Sequence, residues 1–390
     1  MTSHPPSVDL PDVQLTPGTP VGVYVHVPFC LTRCGYCDFN TYTPAELGGV
    51  NPDTWLRTLA SELELAATRL GGPAVDTVFV GGGTPSLLGG ARLCAILDTV
   101  RQQFDLTPGA EVTTEANPES TSPELFAALR DGGYTRLSLG MQSVAPRVLA
   151  TLDRVHSPGR AAAAAKEAQA AGFEHVNLDL IYGTPGESDD DLIRSLNAAL
   201  DADVDHVSAY ALVVEEGTAL ARRVRRGELA VPDEDVLARR YELADALLAA
   251  AGLQWYEVSN WSRPGGQCRH NLGYWDGGQW WGAGPGAHSF VGTTRWWNVK
   301  HPNVYAQHLK QARLPVAGFE QLDAQARHIE DVMLRIRLRR GLPVGLLDGP
   351  ERERAAVAVS DGLLVSEGDR LVLTDRGRLL ADAVVRTLLG

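Results

Sequence analysis

The sequence predicts an α/β fold of parallel βαβ units, closed or partly closed into a barrel and followed by a smaller, mainly helical domain. Short apolar runs rich in β-branched residues alternate with longer segments in which leucine and alanine recur at helical spacing. Strand, helix and strand repeated about six times indicate parallel connections. A doubly wound open sheet is the alternative architecture. The six predicted strands span residues 21–27, 76–80, 110–116, 135–141, 175–182 and 205–213.

The helices between these strands are predicted from their periodicity and their start signals. The stretches TWLRTLASELELAATRL and DDDLIRSLNAALDA carry leucine and alanine at i, i+3 and i+4. Ser188 precedes three aspartates, which suits a helix start because its side chain can cap free N–H groups and the acids face the positive end of the helix dipole. In either architecture the functional groups are expected where strands end and loops begin.

Two glycine-rich turns fall at predicted strand ends. GGGTP at 81–85 follows the second strand, and YGTPG at 182–186 follows the fifth. Glycine there permits close approach of the backbone to a ligand, but a simple tight turn explains either motif equally well. No Gly-Lys-Ser/Thr follows, so a phosphate-binding P-loop is excluded.

The chain divides into three predicted regions. Residues 1–19 are polar and proline-rich and are expected to form a flexible segment. Residues 20–290 form the barrel domain, which includes an aromatic-rich segment at 255–290. Residues 291–390 are expected to form a helical, winged-helix-like domain with one small hairpin around EGDR.

Bulk composition limits the function classes. The 390 residues are 44% hydrophobic and 21% charged, with a net charge of -13, which is typical of a globular protein with a sizeable core. An acidic chain argues against a nucleic-acid partner. The amino terminus has no basic start followed by an apolar run, and no segment offers about 18 uninterrupted apolar residues. We therefore expect a cytoplasmic protein, where clustered cysteines indicate a metal or redox site.

Three of the five cysteines follow the first predicted strand as C-x3-C-x2-C: Cys30, Cys34 and Cys37. Structural zinc requires a fourth ligand, and Cys94 and Cys268 do not form a second pair. A thioredoxin-like C-x-x-C does not account for the third cysteine.

Two interpretations of the cysteines remain. Three inert core thiols are a poor fit, because Arg33, Gly35 and Asp38 lie between them. A [4Fe–4S] cluster held by three thiolates fits best and leaves one iron without a protein ligand, which is where chemistry can occur.

The cysteine spacing, with an aromatic residue before the last cysteine, resembles that of the radical S-adenosylmethionine (SAM) superfamily. VYVHVPFC, VGGGTPSLL, TTEANPES, LSLGMQS, LDRVHS and NLDLIYGTPGES follow in an order similar to that of the oxygen-independent coproporphyrinogen III oxidase group, in particular its HemW branch of haem chaperones. The resemblance covers residues 20 to about 300. It implies a partial (β/α)6 radical SAM barrel, in which SAM chelates the open iron and is cleaved to a 5′-deoxyadenosyl radical.

The resemblance also assigns residues to SAM. For the first SAM it implies a ring near the cluster, a bare backbone beside the methionine amine and a carboxylate, supplied by Tyr24, Gly82 and Glu115. Tyr36, inside the cysteine loop, would cover the cluster and the adenine. Other positions match residues that serve a second SAM in the coproporphyrinogen enzyme: Gly83, Thr84, Gln142, Arg154 and Asp179. Whether one or two SAM molecules bind stays open.

Phe39 separates two branches of the group. The oxidase branch carries a cysteine two residues past the last cluster ligand, and here that position is Phe39. Only about twenty residues precede the first strand, so we also expect no counterpart of the oxidase's amino-terminal arm. Both departures favour the haem chaperone branch.

An aromatic segment supports haem as the cargo. Seven of the eight tryptophans lie between residues 255 and 297. The H-N-x-x-Y-W pattern formed by His270, Asn271, Tyr274 and Trp275 matches a motif of the haem chaperones. A flat porphyrin suits aromatic walls, and imidazole is a common axial ligand of its iron. His270 is the first expected ligand, with Cys268 and His288 as alternatives; an aromatic subdomain core with a hydrogen-bonded histidine is the structural alternative.

The predicted function is therefore that of a haem chaperone that binds a [4Fe–4S] cluster, SAM and haem and passes haem to recipient haem proteins, including membrane respiratory proteins. Anaerobic coproporphyrinogen III oxidation is the alternative. The expected partners include a flavodoxin or ferredoxin as electron donor and a second copy in a homodimer, but no nucleic acid. The expected location is the cytoplasm, with peripheral contact at the inner face of the membrane.

Overall fold

The computed structural model describes residues 8–390, in which strands and helices alternate as the sequence predicts. The strands are β1 (Val21–Val27), β2 (Ala74–Gly82), β3 (Asp105–Ala116), β4 (Arg136–Gln142), β5 (His175–Tyr182), β6 (His206–Ala211), β7 (Gln254–Glu257), β8 (Asn260–Ser262), β9 (Gln279–Ala283), β10 (His288–Val291), β11 (Thr294–Asn298), β12 (Val316–Gln321), β13 (Leu342–Pro343), β14 (Leu364–Glu367) and β15 (Arg370–Leu373).

The helices connect these strands. They are α1 (Pro52–Leu70), α2 (Gly89–Gln103), α3 (Pro123–Gly132), α4 (Pro146–Thr151), α5 (Arg160–Ala170), α6 (Asp189–Asp201), α7 (Ala219–Arg225), α8 (Glu234–Ala250), α9 (Arg269–Trp275), α10 (Pro302–Lys310), α11 (Ala324–Arg335), α12 (Gly349–Ser360), α13 (Asp375–Leu379) and α14 (Ala381–Leu389). Short 3₁₀ turns span Pro85–Leu88, Pro118–Ser120 and Val344–Leu346. Ser188 caps α6 through a reciprocal capping box with Asp191, as its position predicts.

Strands β1 to β6 form a parallel series in sequence order, and each pairs with the next. The sheet continues beyond β1 with β9, which is parallel to β1, and then with β10, β11 and β12. At the other end β8 and β7 follow β6 in antiparallel pairing. The main sheet thus has twelve strands, and the six parallel ones form its centre.

The six parallel strands curve around a common interior. Polar and aromatic side chains from all six line one cavity, and on a strand such as β5 they come from alternate residues, Asn177 and Asp179. The residues between them, such as Leu178 and Leu180, are fully buried in the hydrophobic core. Side chains of six strands can meet only if the sheet curls. The partial (β/α)6 barrel is therefore confirmed.

The main sheet extends past residue 290, where the sequence analysis placed the domain boundary. Strands β11 and β12 belong to the main sheet, and Val304, Tyr305 and Val316 are buried in the core that the barrel helices share. A second core begins at Val332 on α11 and is built from α11, α12, α14 and the small sheet of β13, β15 and β14. The hairpin of β14 and β15 surrounds EGDR, as predicted.

Residues 8–19, within the segment expected to be flexible, pack against the barrel. Leu10 and Val13 are buried in the main core, and the Arg69 guanidinium donates hydrogen bonds to the carbonyl oxygens of Leu10 and Pro11. Residues 1–7 of the predicted segment lie outside the described residues. Among residues 8–390, no helix is both long enough and apolar enough to cross a membrane.

Candidate functional site

The cysteine loop leaves the carboxyl end of β1 and folds back on it. The backbone N–H of Cys30 donates to the carbonyl of Tyr42 at 3.0 Å, and the N–H of Tyr42 donates to Pro28 at 2.8 Å. Gly35 packs so closely against Asp153 that a Cβ would lie 2.3 Å from its carboxylate oxygen, so a larger residue there would require the Asp153 side chain or the loop to shift. The three cysteines of this loop line one cavity, and none of the five described cysteines forms a disulfide.

A cavity of about 750 Å³ lies at the carboxyl ends of the parallel strands, against this loop. Its walls come from the cysteine loop, from the carboxyl-terminal parts of β2 to β6 and from the loops that follow these strands. The sequence-predicted residues that line it are Cys30, Cys34, Cys37, Tyr36, Gly82, Gly83, Thr84, Glu115, Gln142, Arg154 and Asp179. The structure therefore brings the predicted cluster ligands and all but one of the predicted SAM residues together in one place.

The three thiols fit a cluster better than a single metal ion. Among residues 8–390, no three His, Cys, Asp or Glu side chains are arranged to hold one ion. Each thiolate of an iron–sulfur cluster binds a different iron, so the cysteines need only share a cavity wall. Burial raises the pKa of Cys30, and it raises the pKa of Cys37 to about 11. Loading a cluster must therefore release protons from these thiols.

Arg154 joins the cysteine loop to the end of β4. One guanidinium nitrogen lies 3.3 Å from Sγ of Cys34, and another donates to Gly140 at 3.2 Å and to the side chain of Gln142 at 3.0 Å. Gln142 holds a left-handed backbone with φ of 60°, which few non-glycine residues adopt. The Nε of Arg154 is buried without a hydrogen-bond partner among the described residues, and the Arg154 side chain lines the cavity.

Two carboxyl groups face the same cavity. Glu115 accepts a hydrogen bond from the N–H of Gly82 at 2.9 Å, and Asp179 accepts from Ser138 at 2.8 Å and from Asn177 at 2.7 Å. Burial, followed by the repulsion from Asp179, raises the pKa of Glu115 to about 8. Burial also raises the pKa of Asp179. A cationic ligand would favour the charged form of both groups, which suits an ammonium or sulfonium group.

Tyr24 is the predicted SAM residue that the structure places elsewhere. It lines a second cavity of about 340 Å³, deeper in the barrel, and its hydroxyl lies 3.0 Å from Nδ1 of His26. Because Nε2 of His26 lies 2.9 Å from the carbonyl of Asn40, it carries the proton, and Nδ1 accepts from Tyr24. Glu115 and Asp179 line both cavities, so the two are neighbouring parts of one interior.

His270 lies in the wall of the second cavity with both ring nitrogens engaged. Nδ1 is hydrogen-bonded to the Thr77 hydroxyl at 2.7 Å and Nε2 to the Tyr274 hydroxyl at 2.8 Å. Burial lowers the pKa of His270 to about 4, which keeps the ring neutral. Asn271 donates to Glu257 at 2.9 Å. The motif thus has the arrangement expected of an aromatic core with a hydrogen-bonded histidine. Iron ligation by His270 stays a prediction, and it requires one of these two hydrogen bonds to break.

Of the other predicted haem residues, Cys268, Asn271 and Tyr274 line the second cavity with His270, whereas Trp275 and His288 do not. Cys268 lines the second cavity and lies 3.5 Å from Glu111, whereas the exposed His288 stacks on Trp297 in the sheet extension. Trp275 is half-buried at the end of α9. Four tryptophans of the aromatic segment are core residues on β7, β8, β9 and β11: Trp255, Trp261, Trp281 and Trp296. Most tryptophans of the aromatic segment therefore pack in the hydrophobic core and do not form the wall of a porphyrin site.

Exposed apolar side chains surround the mouth of the cluster cavity. Each comes from a different loop or from a separate part of the cysteine loop, and none was singled out from the sequence except Phe39. They are Leu31, Phe39, Leu87, Val155 and Val213, with exposed fractions of 69, 57, 39, 90 and 61%. We call these five residues the apolar rim. Periodicity cannot reveal them, because they are single residues in separate loops.

Comparisons with known proteins agree with this geometry. The family model of the radical SAM superfamily matches residues 24–199 of this chain. The chain is 75% identical over 383 residues to heme chaperone HemW of Mycobacterium tuberculosis, covering 98% of each chain. It is 34% identical to heme chaperone HemW of Escherichia coli, covering 95% of this chain and 98% of that one. The structure matches coproporphyrinogen III oxidase (HemN) of Escherichia coli with a TM-score of 0.82 at 22% identity, covering 96% and 91%.

Proposed function

Because the chain belongs to the HemW family of haem chaperones within the radical SAM superfamily, we propose that it binds haem and delivers it to haem proteins. One observation carries this proposal: the high identity to a haem chaperone covers nearly the whole chain, and the matching region includes a cavity lined by three free cysteines. Family membership implies a [4Fe–4S] cluster and SAM as cofactors.

We assign the cluster to Cys30, Cys34 and Cys37. When bound with SAM, it supplies one-electron reductive chemistry at the sulfonium group. The protein's own contribution is to hold the thiols at the cavity wall and to supply compensating charge, because the Arg154 guanidinium lies beside Cys34. Tyr36 contacts a small apolar cluster under the loop and thereby limits water access from that side.

We assign SAM to the cavity next to the thiols. The backbone of Gly82 and Gly83 forms one wall, and the carboxylates of Glu115 and Asp179 suit the cationic parts of SAM. The Arg154 guanidinium, which lines the same cavity, suits its carboxylate. Thr84 and Gln142 complete the polar lining. The proposal extends to a second SAM only if two equivalents bind, which a stoichiometric titration decides.

We place the haem at the apolar rim. A porphyrin needs apolar surface for its faces and an open side for its propionates. The rim offers both, because it opens to solvent and the cavity it surrounds is also lined by Arg33, a cationic side chain that is 42% exposed and ion-paired with Glu46 at 3.1 Å. Phe39, which stands where the oxidase branch has a cysteine, would then provide a wall for the macrocycle instead of a reactive thiol.

The second candidate function is oxygen-independent coproporphyrinogen III oxidation, the reaction of the protein HemN, whose fold this chain shares. At 22% identity that match shows the fold alone. We expect no protoporphyrinogen when the reconstituted protein is incubated anaerobically with SAM, a reductant and coproporphyrinogen III, because the oxidase cysteine is replaced by Phe39. The assay is read by porphyrin chromatography beside an authentic oxidase. Turnover comparable to that of the oxidase would contradict the chaperone proposal.

The partners follow from the same proposal. Recipient haem proteins, including membrane respiratory proteins, would take the haem, and a flavodoxin or ferredoxin would reduce the cluster. Four acidic residues at the cavity mouth, Asp38, Glu119, Asp153 and Glu215, would contact a recipient with a basic docking face. A homodimer and contact with the inner face of the membrane are further parts of the proposal.

A further inference from the structure

The helix that carries the His270 motif lies under the SAM cavity, deeper in the barrel. The backbone N–H of His270 donates to Glu111 on β3 at 3.0 Å, and its ring is bonded to Thr77 on β2. Thr77 precedes Gly82 by five residues, so it lies about 16 Å further from the carboxyl end of the strand. The motif is therefore far from the apolar rim and close to the amino ends of the strands.

An aromatic stack connects His270 with the SAM cavity. The His270 ring lies 5.3 Å from the Phe79 ring, with 27° between their planes. A Cβ at Gly81 would lie 2.7 Å from a Phe79 ring carbon and 3.0 Å from the Glu115 carboxyl carbon, so the ring and the carboxyl flank the same glycine. Phe79 and Glu115 also line the same cavity. Phe79 therefore lies between the His270 ring and the glycine that the Glu115 carboxyl also flanks.

We propose that the motif is a positioning element of the SAM cavity. Thr77 and Tyr274 fix the His270 ring, the ring supports Phe79, and Phe79 holds the Glu115 carboxyl against the N–H of Gly82. His270 acts through other residues and does not ligate haem iron. This inference rests on the proposed function, because it takes the cavity beside the three cysteines to be the SAM site.

The test removes the support without removing the ring. Tyr274→Phe deletes the hydroxyl bonded to Nε2, and Thr77→Val deletes the hydroxyl bonded to Nδ1. Cluster-loaded protein is titrated with SAM and, separately, with haem. We expect the dissociation constant for SAM to rise about fivefold in each variant, the effect of one lost hydrogen bond. The dissociation constant for haem should stay within about twofold of wild type.

Tyr134→Phe is the matched control, because the Tyr134 hydroxyl is also buried with one hydrogen bond, to the carbonyl of Leu93 at 2.7 Å. It should lower thermal stability with unchanged SAM affinity. Weakened haem binding with unchanged SAM affinity in Tyr274→Phe would overturn the inference and would assign the motif to the haem site. Lower thermal stability with both affinities unchanged would also overturn it, since the role would be structural only. Wild-type protein that binds SAM but no haem would contradict the chaperone proposal alone.

Discussion

Replacing Cys34 with alanine is expected to abolish the brown iron–sulfur absorbance of the reconstituted protein. The cluster has three thiolates from the chain, and a vacant position leaves a second iron without a protein ligand. Loss of Cys34 also removes the sulfur next to the Arg154 guanidinium. The measurement is the visible absorbance together with the iron and sulfide content per chain, which should fall to the level of unreconstituted protein.

Cys94→Ala is the matched control for this experiment. Cys94 is a partly buried free thiol on α2, and its Sγ lies 3.3 Å from the carbonyl of Ala128, outside the cluster cavity. It should keep the full cluster content. A Cys34→Ala protein with an intact cluster would show that the three-cysteine assignment is wrong, and a cluster lost in Cys94→Ala would point to a different ligand set.

The second large effect concerns stability. Arg136→Met is expected to lower the free energy of unfolding at pH 7 by about 3–5 kcal/mol, because it leaves the buried carboxylate of Glu111 without its cation. The pair lies at 3.0 Å with exposed fractions of 2% and 5%. Arg136 also donates to the carbonyls of Gly266 and Gln267, so its loss frees the loop that leads into α9.

The pH dependence identifies the cause of this loss. Burial raises the pKa of Glu111, but Arg136 and the backbone N–H groups of His270 and Arg269 outweigh burial, so the pKa is lowered overall. A lowered carboxyl pKa stabilises the folded state above the unfolded-state pKa, and that contribution disappears as the pH falls. Without Arg136 the pKa of Glu111 should rise, so the variant loses most stability at neutral pH.

Denaturant unfolding at pH 7 and pH 5 checks both statements. The difference between wild type and Arg136→Met should narrow at pH 5, where Glu111 can take up a proton in the variant. Arg226→Met is the control, since Arg226 and Glu228 form an exposed pair with exposed fractions of 58% and 48%, and its loss should leave the free energy of unfolding nearly unchanged. Equal losses in the two variants would contradict the buried-pair argument.

Much of the fold follows from local sequence because each parallel strand is a short apolar run with a clear start and end. The first and fifth strands begin and end at the predicted residues, 21–27 and 175–182. The third begins earlier, at Asp105, because its polar first half pairs with β2 although it lacks an apolar pattern. The domain boundary was placed too early for a similar reason: β11 and β12 extend a sheet through long-range pairing that composition does not reveal.

The cavity could be predicted where residues follow strand ends, since the carboxyl ends of parallel strands meet at one edge. Tyr24, three residues before the end of β1, lines only the deeper cavity, whereas Asp179, equally far from the end of β5, lines both cavities, so distance from the strand end does not separate the two cases. The tryptophans lie close in sequence but on strands at opposite ends of the sheet order, which no local pattern shows. The hydrogen bonds of His270 also depend on tertiary contacts with β2.

A haem titration of cluster-loaded protein tests the central claim most directly. The account predicts a saturable Soret change at one haem per chain. Val155→Asp, at a rim position that is 90% exposed, should weaken binding about tenfold, because a charge replaces apolar contact. Val231→Asp is the control: Val231 is 72% exposed but lies outside the cavity lining, and binding should not change. Absence of saturable binding in the wild type, or equal binding by all three proteins, would contradict the account.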